Sequence, residues 1–75
     1  MPLHDQLREA RLAAGLTQRQ LADRCGMGQP YVSALERGEH RPTTAILCRI
    51  ADALGATIEL TGRGPVLHAR ESEKR

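Results

Sequence analysis

The stretch LTQRQLADRCGMGQPYVSALERG, residues 16–38, decides the fold, because it carries two short helices together with their ends. Thr17 can cap the first, and Gln20 three residues on can bond back to it in a capping box. Leu21, Ala22 and Cys25 make its apolar face, and Gly26 ends it. A helix of about eight residues does not stand without tertiary packing. Pro30 is tolerated only in a first helical turn, where its missing N–H costs nothing. The second helix therefore starts at about Gln29, with Gly28 as cap, runs to Arg37 and is closed by Gly38. Val32 and Leu35 face inward one turn apart. Gln29, Pro30, Ser33 and Ala34 lie on other faces and are small or polar.

Upstream, Leu3, Leu7, Ala10, Arg11 and Ala14 recur at i, i+4, i+7, i+8 and i+11, one stripe of a helix over residues 3–14. Gly15 stops it as a left-handed residue, and Leu16 returns the chain to the core. Downstream, Glu39-His40-Arg41-Pro42 reads as a loop. Thr43 or Thr44 caps a fourth helix whose Leu47, Ile50, Ala51 and Leu54 repeat at i, i+3, i+4 and i+7, and Gly55 ends it. Residues 56–61 then alternate apolar and polar, the period of a half-buried strand. Gly62-Arg63-Gly64-Pro65 would turn the chain, and Val66 and Leu67 are a weak second strand. The fold class expected is all-α: a compact four- to five-helix bundle with a short C-terminal β-strand. Residues 1–55 form the helical domain, 56–67 the strand region, and 68–75 a charged tail that reads as solvated or disordered.

Composition narrows the function. A chain of 75 residues has room for one small core, and below roughly 80 residues such a core is only marginally sufficient. Tyr31 is the one aromatic residue, so the core is aliphatic. No apolar run approaches the roughly 18 residues that span a bilayer, and the amino terminus lacks secretory features. A soluble, cytoplasmic protein is expected. Cys25, Cys48 and the three histidines have no metal-ligand spacing, so no metal is expected. There is no Gly-rich phosphate loop, no paired carboxylates and no nucleophile–base pairing, which argues against an enzyme and against a cofactor. The net charge of +2 arises in the last thirteen residues, whereas residues 1–62 balance seven basic against seven acidic side chains. Any nucleic-acid binding must therefore rest on a few gathered Arg residues, backbone amides and polar groups.

Two short helices joined by Gly26-Met27-Gly28 in so small a bundle suggest a helix-turn-helix. The second helix must enter a major groove of roughly 12 Å width, so its outer face must lack bulky apolar groups. At its start, the Gln29 amide can donate to and accept from one adenine edge together. Ser33 one turn later can bond a base or a phosphate. Ala34 either touches a thymine methyl or serves only as a helix former.

These residues also carry a family resemblance. Leu7-x-x-x-Arg11-x-x-x-Gly15-Leu16-Thr17-Gln18-x-x-Leu21-Ala22 resembles the start of the lambda-repressor/Cro-like (Xre) family. Gln29-x-x-Val32-Ser33-x-Leu35-Glu36-x-Gly38, Arg41-Pro42 and Leu47-x-x-Ile50-Ala51-x-x-Leu54-Gly55 continue it in register over residues 3–55. The resemblance implies double-stranded DNA as partner, with Gln18 on a phosphate and Gln29, Ser33 and Ala34 facing bases. Pro30 stiffens the first turn of that reading helix, and Tyr31 and Arg37 would lie near the DNA strands. Arg41 would approach a phosphate or the minor groove, and Thr43 and Thr44 would supply donors to the other strand. It also implies that Arg11, on the inner stripe of the first helix, pairs with Glu36, a structural ion pair and not a DNA contact. Gly28 stands where a serine or threonine cap is usual, and Glu39 places a negative charge near the DNA-facing loop.

The function implied is a sequence-specific transcriptional regulator, dimeric on an inverted repeat and repressing its own operon. The strand at 56–61 needs a partner. The favoured one is the same strand of a second subunit, with Ile58 and Leu60 buried together against the fourth helix. An intrachain hairpin with Val66 and Leu67 is the competitor. The alternative function is a protein-interaction module, an antitoxin holding a toxin or a bridging factor.

Overall fold

The computed structural model describes residues 2–69, so the expectation for the charged tail lies, beyond Ala69, outside the described residues. Four helices are followed by a hairpin: α1 Leu3–Ala13, α2 Gln18–Cys25, α3 Gln29–Glu36, α4 Thr44–Leu54, β1 Ala56–Thr61 and β2 Gly64–Ala69. None of these helices is long and apolar enough to cross a membrane.

The helix ends follow local chemistry. Thr17 Oγ1 accepts from the Gln20 N–H at 3.0 Å, and Gln20 Oε1 accepts from the Thr17 N–H at 2.9 Å, closing the capping box on α2. Gly26 and Gly55 end α2 and α4 with φ of 68° and 67°, left-handed values that glycine adopts without steric cost. Thr43, not Thr44, caps α4, its Oγ1 accepting from the Ile46 N–H at 3.2 Å. Pro30 sits in the first turn of α3, where no intrahelical N–H is needed.

The core is aliphatic. Leu7 from α1, Leu21, Ala22 and Cys25 from α2, Val32 and Leu35 from α3, and Leu47 and Ile50 from α4 meet in one buried cluster. Leu21, Leu35, Ile50 and Val32 are completely enclosed. α2 is additionally tied to α4 by Arg49, whose Nη1 donates to the Cys25 carbonyl at 3.3 Å, a cation against a helix C-terminus.

The structure corrects two expectations for the C-terminal segment. The fold is not purely all-α, because β1 pairs antiparallel with β2 of the same chain, Ile58 opposite Leu67 and Thr61 opposite Gly64. Pro65 is tolerated in β2 because its partner is Leu60, in a pair whose N–H groups point away from the ladder. Nor does this edge of β1 take the strand of a second subunit, the partner favoured from sequence. Ile58 packs in part on the core, whereas Leu60 is 77 % exposed. β1 lies beside α4 and β2 beside α1. Gln6 of α1 closes the outer edge of β2, its Oε1 accepting from the Leu67 N–H at 2.9 Å and its Nε2 donating to the Pro65 carbonyl at 3.5 Å.

Candidate nucleic-acid interface

The angle between α1 and α3 is set by a buried ion pair. Arg11 and Glu36 are 9 % and 4 % exposed. Arg11 Nε and Nη2 donate to the two Glu36 carboxylate oxygens at 2.7 and 3.0 Å, and Nη1 donates to the Leu16 carbonyl at 2.8 Å. A charge in this position is tolerable only with such a bidentate partner. Buried in this way, the pair presents nothing to a ligand.

From that pair a chain of amides runs to the surface. Gln18, the first residue of α2, donates through Nε2 to Glu36 Oε1 at 3.1 Å. Its Oε1 accepts from Gln29 Nε2 at 2.8 Å. Gln18 is half-buried and Gln29 exposed. The Gln29 amide is thus anchored on one N–H while its second N–H and its carbonyl oxygen are left over, the pair that an adenine edge requires. The link from Gln18 to Glu36 spans eighteen residues and has no sequence signal.

At about 100° per residue, Gln29, Ser33 and Arg37 fall within about 80° of one another on α3. Ser33 is half-buried and Arg37 exposed. Arg37 is not open, however. Its Nε and Nη2 donate to the Glu39 carboxylate at 2.8 and 3.0 Å, and its Nη1 donates to Ser33 Oγ. The carboxylate beside it raises the Arg37 pKa further, and hydrogen bonding and charge from Arg37 hold Glu39 below the usual carboxylate range. The i, i+4 spacing of Ser33 and Arg37 is the signal that could have announced this contact.

Ala34 is corrected: it is 6 % exposed and does not belong to the outer face. The turn after α3 folds back beside it, the Glu39 N–H bonding the Ala34 carbonyl at 2.9 Å, and a one-carbon side chain does not reach past that turn. Tyr31 packs in part on the core, its ring 5.8 Å from that of His40. Pro30 is exposed next to Gln29. Arg41 is exposed and makes no ion pair among the described residues. Thr44 is exposed at the first position of α4, and Thr43 gives its oxygen to the cap.

A capped pair of short helices, the second presenting a polar outer face and held on a four-helix core, defines a helix-turn-helix domain. Residues 7–60 match the model of the family HTH_3, described as helix-turn-helix, and the chain belongs to that family, of the lambda-repressor/Cro-like class. An uncharacterized HTH-type transcriptional regulator of Mycobacterium tuberculosis is 38% identical over 69 residues, covering 91% of this chain and 49% of that protein. The cryptic phage CTXphi transcriptional repressor RstR of Vibrio cholerae is 41% identical over 64 residues, 84% of this chain and 57% of the repressor. The chain spans about half the length of these curated relatives. Among solved structures, the clp gene regulator ClgR of Corynebacterium glutamicum superposes with a TM-score of 0.69 at 36% identity, covering 71% of this chain and 68% of that one.

Proposed function

We propose that the chain binds duplex DNA sequence-specifically and regulates transcription, acting as a repressor by occluding a promoter. The observation that carries this reading is the Gln29 amide, exposed in the first turn of α3 and held through Gln18 by the buried Arg11–Glu36 pair. Side chains aimed at base edges read sequence only when their own orientation is fixed. Gln18 and Thr44, at the N-termini of α2 and α4, and the unpaired Arg41 supply phosphate contacts on either side. The names of the relatives, regulators and a repressor, support the same reading, and none of the features above favours a toxin-binding module.

A single α3 reads too few base pairs for specificity in a genome, so the reading includes a homodimer. β1 offers the surface. The alternating ladder turns the N–H and C=O groups of Ile58 and Leu60 away from β2. Gln6 covers the outer edge of β2, but among the described residues no side chain bonds the outer edge of β1. Antiparallel pairing of two β1 edges would make a four-stranded sheet and cover Leu60. The domain measures 31 × 29 × 20 Å, compatible with two reading helices roughly 34 Å apart, one helical turn of DNA.

The test is selection of bound duplexes from random DNA, followed by binding of Gln29→Ala to the selected and to random sequences. Loss confined to the selected site, worth about 1–3 kcal/mol, is expected. Equal loss on both would contradict base reading.

A further inference from the structure

Between the hairpin turn and the loop that follows α3 lies a cleft of about 530 Å³, which neither the helix-turn-helix nor the outer edge of β1 accounts for. Its walls come from the start of α1, the end of α3, the start of α4 and the β1–β2 turn. Clefts of roughly 300–1,000 Å³ are the size that takes a small organic molecule. The aliphatic core backs it, and Leu3 and Leu60 carry its apolar surface toward solvent, Leu60 being 77 % exposed. The charge around it is of one sign. Arg41 comes from the loop and Arg63 from the turn, with His4 and His40 beside them, and no Asp or Glu lines the cleft. Asp5 approaches His4 at 3.6 Å from outside, so the two arginines carry the charge. Both are exposed, and neither makes an ion pair among the described residues. A carboxylate head meets guanidinium groups through charge-assisted hydrogen bonds, and an apolar body covers leucine surface that otherwise faces water. The larger groove between α1 and the hairpin, about 1120 Å³, is lined by Glu9 as well as Arg63, and its mixed charge selects no ligand.

We propose that this cleft binds a small amphipathic carboxylate, its head on Arg41 and Arg63 and its apolar body on Leu3 and Leu60, and that the bound molecule weakens the hold on DNA. The second half rests on the phosphate contact assigned above to Arg41, since a guanidinium occupied by a carboxylate no longer neutralises a phosphate. By linkage, DNA weakens binding of the carboxylate by the same factor.

The experiment uses the full chain and octanoate as the probe, with 1-octanol and octylammonium as controls of equal chain length. An NMR titration of wild type should give saturable shifts on the Leu3 and Leu60 methyls and on the Arg41 and Arg63 amides. An exposed charge pair is worth up to about fivefold in affinity, so with two arginines octanoate should bind about tenfold more tightly than octanol. Octylammonium should bind no better than octanol. Arg63→Gln should lose about threefold for octanoate and nothing for octanol. The turn survives that change, because it is the Arg63 backbone N–H that donates to Thr61 Oγ1, at 3.1 Å. Equal binding of octanoate and octanol, shifts lying outside the cleft, or no saturation would overturn the site. On a duplex selected by wild type, saturating octanoate should lower affinity as far as Arg41→Gln does, and should not lower that of Arg41→Gln further. Occupancy without any effect on DNA affinity would overturn the regulatory half and leave the site standing. A wild-type protein that binds no duplex would overturn that half together with the DNA reading, while the octanoate titration still decides the site.

Discussion

Removing Glu36 probes the packing that orients α3. In Glu36→Ala the Arg11 guanidinium, buried to 9 % exposure, would face a void where its carboxylate had been. Of its in-chain acceptors only the Leu16 carbonyl, at 2.8 Å, would remain. Breaking a buried pair from one side costs about 3–5 kcal/mol, because the surviving charge is uncompensated. A domain of this length has in total about 4–11 kcal/mol, at roughly 0.05–0.15 kcal/mol per residue. The loss is thus a large share of the total, and at about 4–8 °C per kcal/mol it lowers the melting temperature by about 12–40 °C. Arg11→Met combined with Glu36→Met puts apolar side chains in place of both charges and should recover most of the loss. Urea unfolding followed by far-UV circular dichroism, on wild type, both single methionine variants and the double, gives the coupling energy directly. Single losses below about 1 kcal/mol, or losses that simply add in the double, would refute the argument.

Three further outcomes follow from the geometry. Gly38→Ala should destabilise by about 1–2 kcal/mol from its φ of 78° alone, and more because its Cβ would lie 3.0 Å from His4 Nδ1. Gly62→Ala, with nothing near its Cβ, is the control and should stay within about 0.5 kcal/mol of wild type in the same urea titration. Leu60→Lys should leave the melting profile of the fold intact and shift the sedimentation coefficient toward the monomer; an unchanged dimer would exclude the β1 edge as its interface. A thiol reagent near pH 8 should modify one thiol per native chain, the exposed Cys48. Burial pushes the Cys25 thiol up, against a smaller opposing effect of Arg49, so Cys25 should react only after unfolding. Because its folded pKa is raised, ionising Cys25 at alkaline pH must cost stability, seen as a falling urea midpoint.

The elements most legible in the sequence are those whose ends are made by local chemistry. Thr17 with Gln20, Gly26, Pro30 and Gly55 each act within four residues, and the helices begin and end where these residues require. Contacts between distant residues were legible only through the family pattern, as with Arg11 and Glu36, which lie twenty-five residues apart. The expected partner of β1 differs from the observed one because a short chain with a small core favours a second subunit. That consideration could not show that Pro65 falls where no N–H is used, or that Gln6 would seal the far edge. Ala34 was misplaced for a related reason: helical periodicity assigns it a face but is blind to the turn that returns past it. The clamp of Arg37 on Ser33 and Glu39 escaped because each residue was weighed singly, as a contact to DNA, and not as a partner of the others.

The most direct measurement is the change in backbone amide NMR shifts when the protein is titrated with its selected duplex. The account predicts that the largest shifts fall on Gln18, Gln29, Ser33, Arg41 and Thr44, with the outer surface of the β1–β2 hairpin unmoved. Shifts confined to the hairpin or to α1, with α3 silent, would contradict it.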